Sequence, residues 1–283
     1  MNARRHGLDD LLSLMAVLRD PREGCPWDVR QDWDSIVPHT LEEAYEVADA
    51  IERRAFDELP GELGDLLFQV VYYSRFAEEE GRFDFHDVVD TLTAKMLARH
   101  PHVFPDGTLA SRREGVSAAE VETRQVKSNW EALKADERHA RAAISVLDDV
   151  PRNLPALSRA AKLTKRAARV GFDWPDERGV IAKIREELDE VEQALAEGDV
   201  DHAGEEVGDL LFAVVNLARR LGSDPERALR GTNAKFERRF QYVERALADQ
   251  QRRPEDVSLA EMDRHWDAAK RHERNPSKES LNE

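Results

Sequence analysis

An internal repeat constrains the fold of this chain more than any other feature of its sequence. The segment ELGDLLFQVVYYSR at Glu62–Arg75 recurs as EVGDLLFAVVNLAR at Glu206–Arg219, and the two copies are identical at 9 of 14 positions. A repeat of this length indicates a duplicated structural unit, so both halves of the chain are expected to adopt the same fold. Each copy is mainly apolar, yet each retains two carboxylates spaced three residues apart.

The repeat covers most of the chain and keeps its order. The other matched pairs are GCPWD at 24–28 with GFDWPD at 171–176, LEEAYEV at 41–47 with REELDEV at 185–191, and W-x-x-x-K at 130–134 with W-x-x-x-K at 266–270. A chain of 283 residues is long enough for two small domains, each with its own core. We predict an N-terminal domain over residues 1–147, a proline-containing linker over 148–155, a C-terminal domain over 156–272 and a disordered polar tail over 273–283.

Apolar residues recur with helical spacing in both halves, and no segment shows a convincing strand alternation. The predicted fold class is therefore all-α, with two tandem helical-bundle domains. One helix is predicted to open at Pro38 and Thr40, because Thr40 and Glu43 form a capping-box pattern. The predicted helices cover residues 8–18, 40–54, 62–80, 85–100, 117–139, 156–170, 177–196 and 202–221, and two more begin at Pro225 and Ser258.

The charge balance argues against one class of partner. The chain has 42 lysines and arginines against 58 aspartates and glutamates, which gives a formal charge of −16 at pH 7. Because nucleic-acid binding needs a basic face, we expect no nucleic-acid partner. The single cysteine, Cys25, excludes an internal disulfide, and neither a signal peptide nor a membrane-spanning apolar run is recognisable. We expect a cytoplasmic protein with no membrane partner.

The paired acids of the repeat fall on one side of a helix. At about 100° per residue, Asp65 lies about 60° from Glu62, and apolar side chains occupy the other side. Carboxylates flanked this closely by apolar residues are costly to ionise unless cations or hydrogen-bond donors accompany them. The same placement holds for Glu206 and Asp209.

The helix before each pair supplies further acids in the pattern E-E-x-x-E, at Glu42–Glu46 and Glu186–Glu190. If the two helices pair antiparallel, four or five carboxylates converge in each half. Oxygen ligands at this density suit Mg²⁺ or Mn²⁺, and the lack of cysteine or histidine in the pattern disfavours zinc. A di-iron site needs Glu-x-x-His, which is missing here. A phosphate-binding loop is also missing, because no glycine is followed by lysine.

These motifs resemble one family. E-E-x-x-E followed by E-x-x-D resembles the all-α nucleoside triphosphate pyrophosphohydrolases, and the combination of GCPWD, TLEEAYEVADAIE, ELGDLLFQVV, RHPHVF, VGFDW and NAKFERRF resembles the MazG family in its tandem-domain form. The resemblance runs over about Leu8–Lys270. It implies a homodimer of helical bundles that hydrolyses NTPs or dNTPs to monophosphates and pyrophosphate. It also implies Mg²⁺ as the cofactor, with Mn²⁺ as a substitute, and a house-cleaning role in the nucleotide pool.

Carried onto this sequence, the resemblance implies a catalytic metal quartet of Glu187, Glu190, Glu206 and Asp209. Glu186 would join the quartet in catalysis by accepting or orienting the proton of the attacking water. The implied nucleotide contacts come from Lys183, Glu205, Lys235, Arg239, Trp266 and Lys270. His202 stands where relatives carry lysine, which predicts weaker or pH-dependent binding of phosphate.

The first half offers a less complete set. Its metal residues would be Glu43, Glu46, Glu62 and Asp65, and its nucleotide contacts would be Lys95, Arg99, Trp130 and Lys134. His39 replaces Lys183, and Gly61 replaces Glu205. We therefore predict that the second half carries most of the activity, and that the first half is weaker, differently specific or mainly structural.

Three other interpretations stay open on the sequence alone. The chain could be a pyrophosphohydrolase restricted to dNTPs or to phosphoribosyl-ATP, a regulator that binds nucleotides without turnover, or a structural helical dimer whose acids form a solvated seam. The sequence does not fix the base and sugar preference, nor which phosphorus is attacked.

Overall fold

The computed structural model describes residues 5–115, 145–148 and 150–274. Regular structure within these ranges is helical, which confirms the predicted all-α class. The α-helices are α1 (Leu8–Leu18), α2 (Trp33–Arg53), α3 (Leu59–Glu79), α4 (Phe85–Arg99), α5 (Ala156–Arg169), α6 (Glu177–Glu197), α7 (Val200–Arg220), α8 (Pro225–Ala248) and α9 (Leu259–Arg274). The helix predicted over 117–139, with Trp130 and Lys134, lies outside the described residues.

The chain divides into two compact units, Met1–Glu137 and Arg138–Glu283, hereafter the first and second unit. The second unit includes the segment predicted as a linker, where Val150 is buried and Arg166 Nη1 donates a 2.7 Å hydrogen bond to the carbonyl oxygen of Asp148. Helix α9 continues through Glu273 and Arg274, the first two residues of the predicted tail. The predicted domain limits, linker and tail remain predictions.

Each unit is organised around a hairpin of two 21-residue helices, α2 with α3 and α6 with α7. The first helix of each hairpin ends on a residue in the left-handed conformation, Arg54 in α2 (φ 62°) and Gly198 in α6 (φ 79°). This conformation terminates a helix and turns the chain back. The equal lengths and matching ends of the two hairpins agree with the duplication seen in the sequence.

The predicted start of α2 is wrong. The helix begins at Trp33, where Asp32 caps it by accepting a 2.8 Å hydrogen bond from the backbone N–H of Ser35. Pro38 lies inside the helix, and Thr40 donates its hydroxyl to the carbonyl oxygen of Ile36 at 3.1 Å instead of capping. A proline this early removes one backbone hydrogen bond, and the capping of Asp32 together with the burial of Ile36 keeps the turn helical.

The two units fill their interiors with side chains of different size. The first-unit core is a cluster of Met15, Ile36, Val71, Tyr72, Phe76 and Phe85. Ala50 and Ala77 of the first unit are also buried. The buried apolar residues in the described part of the second unit are all aliphatic: Val150, Val180, Ala194, Ala203, Ala213, Val215, Val243, Leu247 and Ala269. Within the described ranges, each helix is too short or too polar to span a bilayer.

Candidate functional site

Hairpin α6–α7 brings three of the four predicted metal residues together. Carboxylate oxygens of Glu187, Glu190 and Glu206 lie within 4.8 Å of one another, and we call these residues the second-unit cluster. Glu187 is only 5% exposed, so its charge is shielded from water. Asp209 stands one turn along α7 from Glu206 but is exposed and lies outside this group of three.

A lysine accompanies the second-unit cluster. Lys183 Nζ lies 2.6 Å from Glu186 Oε1 and 2.9 Å from Glu187 Oε1, one helical turn before both acids. The hydrogen bonds to Glu186 and then to Glu187 raise the pKa of Lys183, so the ammonium stays charged. On the opposite helix, His202 Nε2 lies 3.0 Å from Glu206 Oε1. Glu205 is exposed beside it on α7.

The surroundings of Glu190 disfavour its ionised form. A hydrogen bond with Glu187, burial, and the charges of Glu187 and Glu206 raise the pKa of Glu190, against the opposing charge of Lys183. Like charges held this close need a compensating cation. Since every donor of the cluster is a carboxylate oxygen, the residues fit a hard divalent ion such as Mg²⁺ or Mn²⁺.

The first unit repeats the cluster in part. Oxygens of Glu43, Glu62 and Asp65, the first-unit cluster, also lie within 4.8 Å of one another, whereas Glu46 is exposed and outside the group. Burial and then the charges of Glu46 and Asp65 raise the pKa of both Glu43 and Glu62. His39, at the position of Lys183, approaches Glu42 at 3.7 Å.

A cavity of about 360 Å³ adjoins the second-unit cluster. Its walls come from α5, from the loop that follows α5, and from α7, and Lys183, Glu187 and Asp209 also line it. The lining is largely apolar and aromatic, with Asn216 as a buried polar group: Leu147, Leu163, Thr164, Ala167, Phe172, Asp173, Trp174, Phe212, Ala213 and Asn216. The carboxylates therefore stand at the edge of a half-open cavity of ligand size.

A hydrogen-bond network fixes the loop and the amide in this cavity. Arg219 donates from Nε to Asn216 Oδ1 at 2.8 Å, and from Nη2 to both carboxylate oxygens of Asp173 at 2.8 Å. Arg220 Nη1 donates to the carbonyl oxygen of Trp174 at 2.8 Å. The bond from Arg219 fixes the orientation of the Asn216 amide, and its NH₂ group can donate to a ligand.

Sequence reasoning did not identify this cavity. The sequence does not predict Phe172, Asn216 and Arg219 as site residues, because the cavity is lined by α5, the loop that follows it, α6 and α7 and not by one motif. The one available signal was a difference between the repeats, since Ala213 and Asn216 replace Gln69 and Tyr72 at equivalent positions.

The other predicted nucleotide contacts of the second half lie on α8 and α9. Arg239 donates to Glu273 Oε2 from Nε at 2.9 Å and from Nη2 at 2.8 Å, and its guanidinium lies 5.7 Å from the Trp266 ring centroid. Lys270 Nζ lies 3.0 Å from Asp267, and Lys235 shares α8 with Arg239. The structure thus brings Arg239 and Trp266 together. The described contacts of this group stay on α8 and α9 and do not join it to the second-unit cluster.

In the first unit, the predicted contacts Lys95 and Arg99 lie on α4, and Lys95 lines a shallow groove with Phe83 and Leu92. Their predicted companions Trp130 and Lys134 fall outside the described residues. The first-unit nucleotide contacts therefore remain a prediction.

Comparison with known proteins gives consistent matches. A family model described as the MazG nucleotide pyrophosphohydrolase domain matches residues 31–104 and 176–243, the segments that contain the two hairpins. The chain is 51% identical over 268 residues to a nucleoside triphosphate pyrophosphohydrolase of Escherichia coli (strain K12), which covers 94% of this chain and 98% of that protein. It is 38% identical to a protein of Thermotoga maritima named nucleoside triphosphate pyrophosphohydrolase/pyrophosphatase MazG, over 93% of this chain and 95% of that protein.

Proposed function

The chain belongs to the MazG nucleotide pyrophosphohydrolase family, and on that premise we propose that its second unit hydrolyses nucleoside triphosphates to monophosphates and pyrophosphate. The observation that carries this assignment is the placement of Glu187, Glu190 and Glu206 within 4.8 Å of one another at the edge of a cavity of about 360 Å³. We propose a house-cleaning role in the nucleotide pool on the same basis.

We assign Mg²⁺ to the second-unit cluster, with Asp209 as its fourth carboxylate and Mn²⁺ as a substitute. Bound there, the ion would supply positive charge against the phosphates and an acidified water molecule. The all-oxygen donor set supports this choice, because a hard cation prefers carboxylate oxygens. The neighbouring charges of Glu187 and Glu206 contribute to the raised pKa of Glu190, and a bound cation would offset that repulsion.

We assign the side chains beside the cluster to phosphate binding, proton transfer and nucleotide binding. Lys183 holds a permanent positive charge at the cavity wall, where it can bind a phosphate oxygen and stabilise charge that builds during cleavage. Glu186 is exposed and hydrogen-bonded to Lys183, and we assign it to accept or orient the proton of the attacking water. We assign Glu205, Lys235, Arg239, Trp266 and Lys270 to contacts with the nucleotide.

The cavity supplies a place for the nucleoside. The aromatic rings of Phe172, Trp174 and Phe212 provide apolar surface for a base, and the NH₂ group of Asn216 provides one hydrogen-bond donor. With the nucleoside in the cavity, the phosphates would extend toward Lys183 and the carboxylates.

We propose that the protein is a homodimer in which a second copy covers the exposed apolar faces of the hairpins. Exposed apolar residues follow one another at helical spacing on α7 as Val207, Leu211 and Val214, and on α3 as Leu63, Leu67 and Val70. Each hairpin thus carries an exposed apolar stripe on its second helix, which is suited to pairing with another hairpin as a four-helix bundle. The variant Leu211→Glu is expected to halve the mass measured by light scattering. A wild-type chain that is monomeric at micromolar concentration would contradict the proposal.

The proposed activity is tested with a panel of NTPs and dNTPs in the presence of Mg²⁺, with monophosphate and pyrophosphate as the measured products. Glu190→Gln and Glu206→Gln should each lower kcat/KM by about 100-fold or more, since each removes a carboxylate of the cluster. Glu192→Gln is the matched control, because it removes an exposed charge from α6, the helix of Glu190, and should leave the rate unchanged. Nucleotide binding without pyrophosphate release would instead indicate a regulator, and product analysis in ¹⁸O water would identify the attacked phosphorus.

A further inference from the structure

One face of helix α9 meets helix α8 through an arginine. Trp266, Lys270 and Glu273 follow one another at spacings of four and three residues, so they lie on the same side of α9. Arg239 of α8 contacts two of them, since its guanidinium carbon lies 5.7 Å from the Trp266 ring centroid and its Nε and Nη2 atoms donate to Glu273 Oε2 at 2.9 and 2.8 Å. The ring of Phe236 lies 5.2 Å from that of Trp266. Aromatic surface and positive charge thus stand together, as a nucleotide requires.

Glu273 occupies one edge of the Arg239 guanidinium and leaves another open. Both hydrogen bonds go to the same carboxylate oxygen, from the edge formed by Nε and Nη2. Among the residues that the structure describes, Nη1 of Arg239 makes no hydrogen bond. A planar guanidinium binds a phosphate through two parallel N–H groups, and the edge formed by Nη1 and Nη2 retains such a pair.

Glu273 contacts Arg239 as a carboxylate. The hydrogen bonds from Arg239, and then its charge with those of Arg238 and Lys235, outweigh burial and lower the pKa of Glu273. The carboxyl group is therefore ionised at neutral pH. Its other oxygen, Oε1, lies 3.7 Å from Nη2 of Arg238, a side chain that is 61% exposed.

This ion pair has two opposite consequences for an anionic ligand. The negative charge of Glu273 offsets part of the charge that attracts a phosphate, whereas its hydrogen bonds hold the Arg239 side chain in one orientation beside Trp266. An arginine that is already ordered loses less conformational entropy when it binds an anion. Since the edge with Nη1 remains open, orientation is the consequence that favours binding.

We propose that Glu273 is a positioning residue for nucleotide binding, which holds Arg239 beside Trp266 with its Nη1 edge available to a phosphate. The inference rests on the proposed function, because Arg239 is assigned there to the nucleotide. It gives a role to the first residue of the segment that the sequence predicted as a disordered tail.

The experiment measures steady-state hydrolysis of ATP with Mg²⁺. Glu273→Ala should raise KM by about 10-fold and leave kcat within about twofold, because Arg239 then has to be ordered by the substrate. Glu273→Gln should stay within about threefold of the wild type, since an amide oxygen can accept the same hydrogen bonds. Glu273→Asp keeps the charge but withdraws it by one methylene group, so it should also raise KM.

The same pair of helices offers a matched control. Arg252, which follows α8, donates to Glu261 of α9 from Nη1 to Oε1 at 2.6 Å and from Nη2 to Oε2 at 3.1 Å. Glu261→Ala removes a second arginine–glutamate pair without touching Arg239. We expect it to lower the melting temperature about as much as Glu273→Ala does, while KM stays unchanged.

A double variant tests whether Glu273 acts through Arg239. Arg239→Met should raise KM at least as much as Glu273→Ala, and adding Glu273→Ala to it should cause no further rise. A lower KM in Glu273→Ala would show that the carboxylate competes with phosphate and would overturn the proposal. An unchanged KM, a rise that persists in the Arg239→Met background, or an equal rise in Glu261→Ala would also overturn it. A wild-type chain that releases no pyrophosphate would overturn the proposed function instead.

Discussion

Arg219 donates a 2.8 Å hydrogen bond to each carboxylate oxygen of Asp173, and this pair ties the loop after α5 to helix α7. The side chains are 17% and 19% exposed, so water screens the pair only in part. The loop also carries Phe172 and Trp174, two of the aromatic residues that line the cavity. The pair therefore supports both the fold of the second unit and the shape of its candidate site.

Removal of the Asp173 charge should destabilise the protein. We expect Asp173→Asn to lower the free energy of unfolding by about 2 kcal/mol, because hydrogen bonds to charged groups contribute more than neutral ones and Arg219 loses an ionised acceptor that its Nη2 group contacts through both oxygens. Urea denaturation at pH 7 measures the change. Glu177→Gln is the matched control, since Glu177 is half exposed and lies 3.4 Å from Arg220, so its loss should cost little.

This stabilisation should depend on pH in a defined direction. Burial alone would raise the pKa of Asp173, but the hydrogen bond and charge of Arg219, with the charge of Arg220, hold it below its ordinary value of 3.8. A lowered pKa stabilises the folded state above pH 3.8, and the contribution is lost as pH falls through the folded value. The difference between wild type and Asp173→Asn should therefore shrink between pH 5 and pH 3. An equal difference at both pH values would show that the charge is not the cause.

Divalent ions should stabilise the protein through the second-unit cluster. The melting temperature should rise with Mg²⁺ or Mn²⁺, because an ion that binds only the folded state shifts the unfolding equilibrium and relieves the repulsion among Glu187, Glu190 and Glu206. Glu190→Gln and Glu206→Gln should reduce the rise, whereas Glu192→Gln should not. Differential scanning fluorimetry against ion concentration, with Ca²⁺ as a comparison ion, makes the measurement. A rise of the same size in all variants would place the ion elsewhere.

The repeat offers a matched pair of helix ends. Arg54 adopts a left-handed conformation at φ 62°, whereas Gly198 occupies the corresponding position of the second hairpin at φ 79°. Residues with a side chain are strained in this region, so Arg54→Gly should stabilise the chain by about 0.5 kcal/mol and Gly198→Ala should destabilise it by about 1 kcal/mol. A Cβ at Gly198 meets no atom within 4 Å, so backbone strain is the only expected cost there. Thermal unfolding compares the two variants, and shifts of the same sign would contradict the explanation.

The sequence predicted the features that depend on local spacing. The three-residue spacing within each acid pair, Glu62 with Asp65 and Glu206 with Asp209, predicted that both acids lie on one face of their helix. The duplication predicted two equivalent hairpins. The start of α2 was predicted wrongly, because Pro38 is a stronger local signal than the Asp32 cap that the helix uses. The cavity was not predicted, because it depends on the packing of α5 and its following loop against α7. The residues that make such contacts are far apart in sequence. The difference between Tyr72 in the first unit and Asn216 at the equivalent position of the second can therefore be interpreted only when that packing is known.

Lys183 offers a test that separates phosphate binding from metal binding. Its ammonium lies 2.9 Å from Glu187, a member of the second-unit cluster, and it also lines the cavity. In Lys183→Met, a positive charge that faces the phosphates is lost, and we expect kcat/KM to fall by about 100-fold, or about 2.7 kcal/mol of transition-state stabilisation. The affinity for Mn²⁺ should remain or increase, because the lysine and the ion attract the same carboxylates. Steady-state kinetics and Mn²⁺ titration by electron paramagnetic resonance measure the two effects, with the exposed Lys162→Met as control. A parallel loss of Mn²⁺ binding would show that Lys183 maintains the cluster and has no separate role at the phosphates.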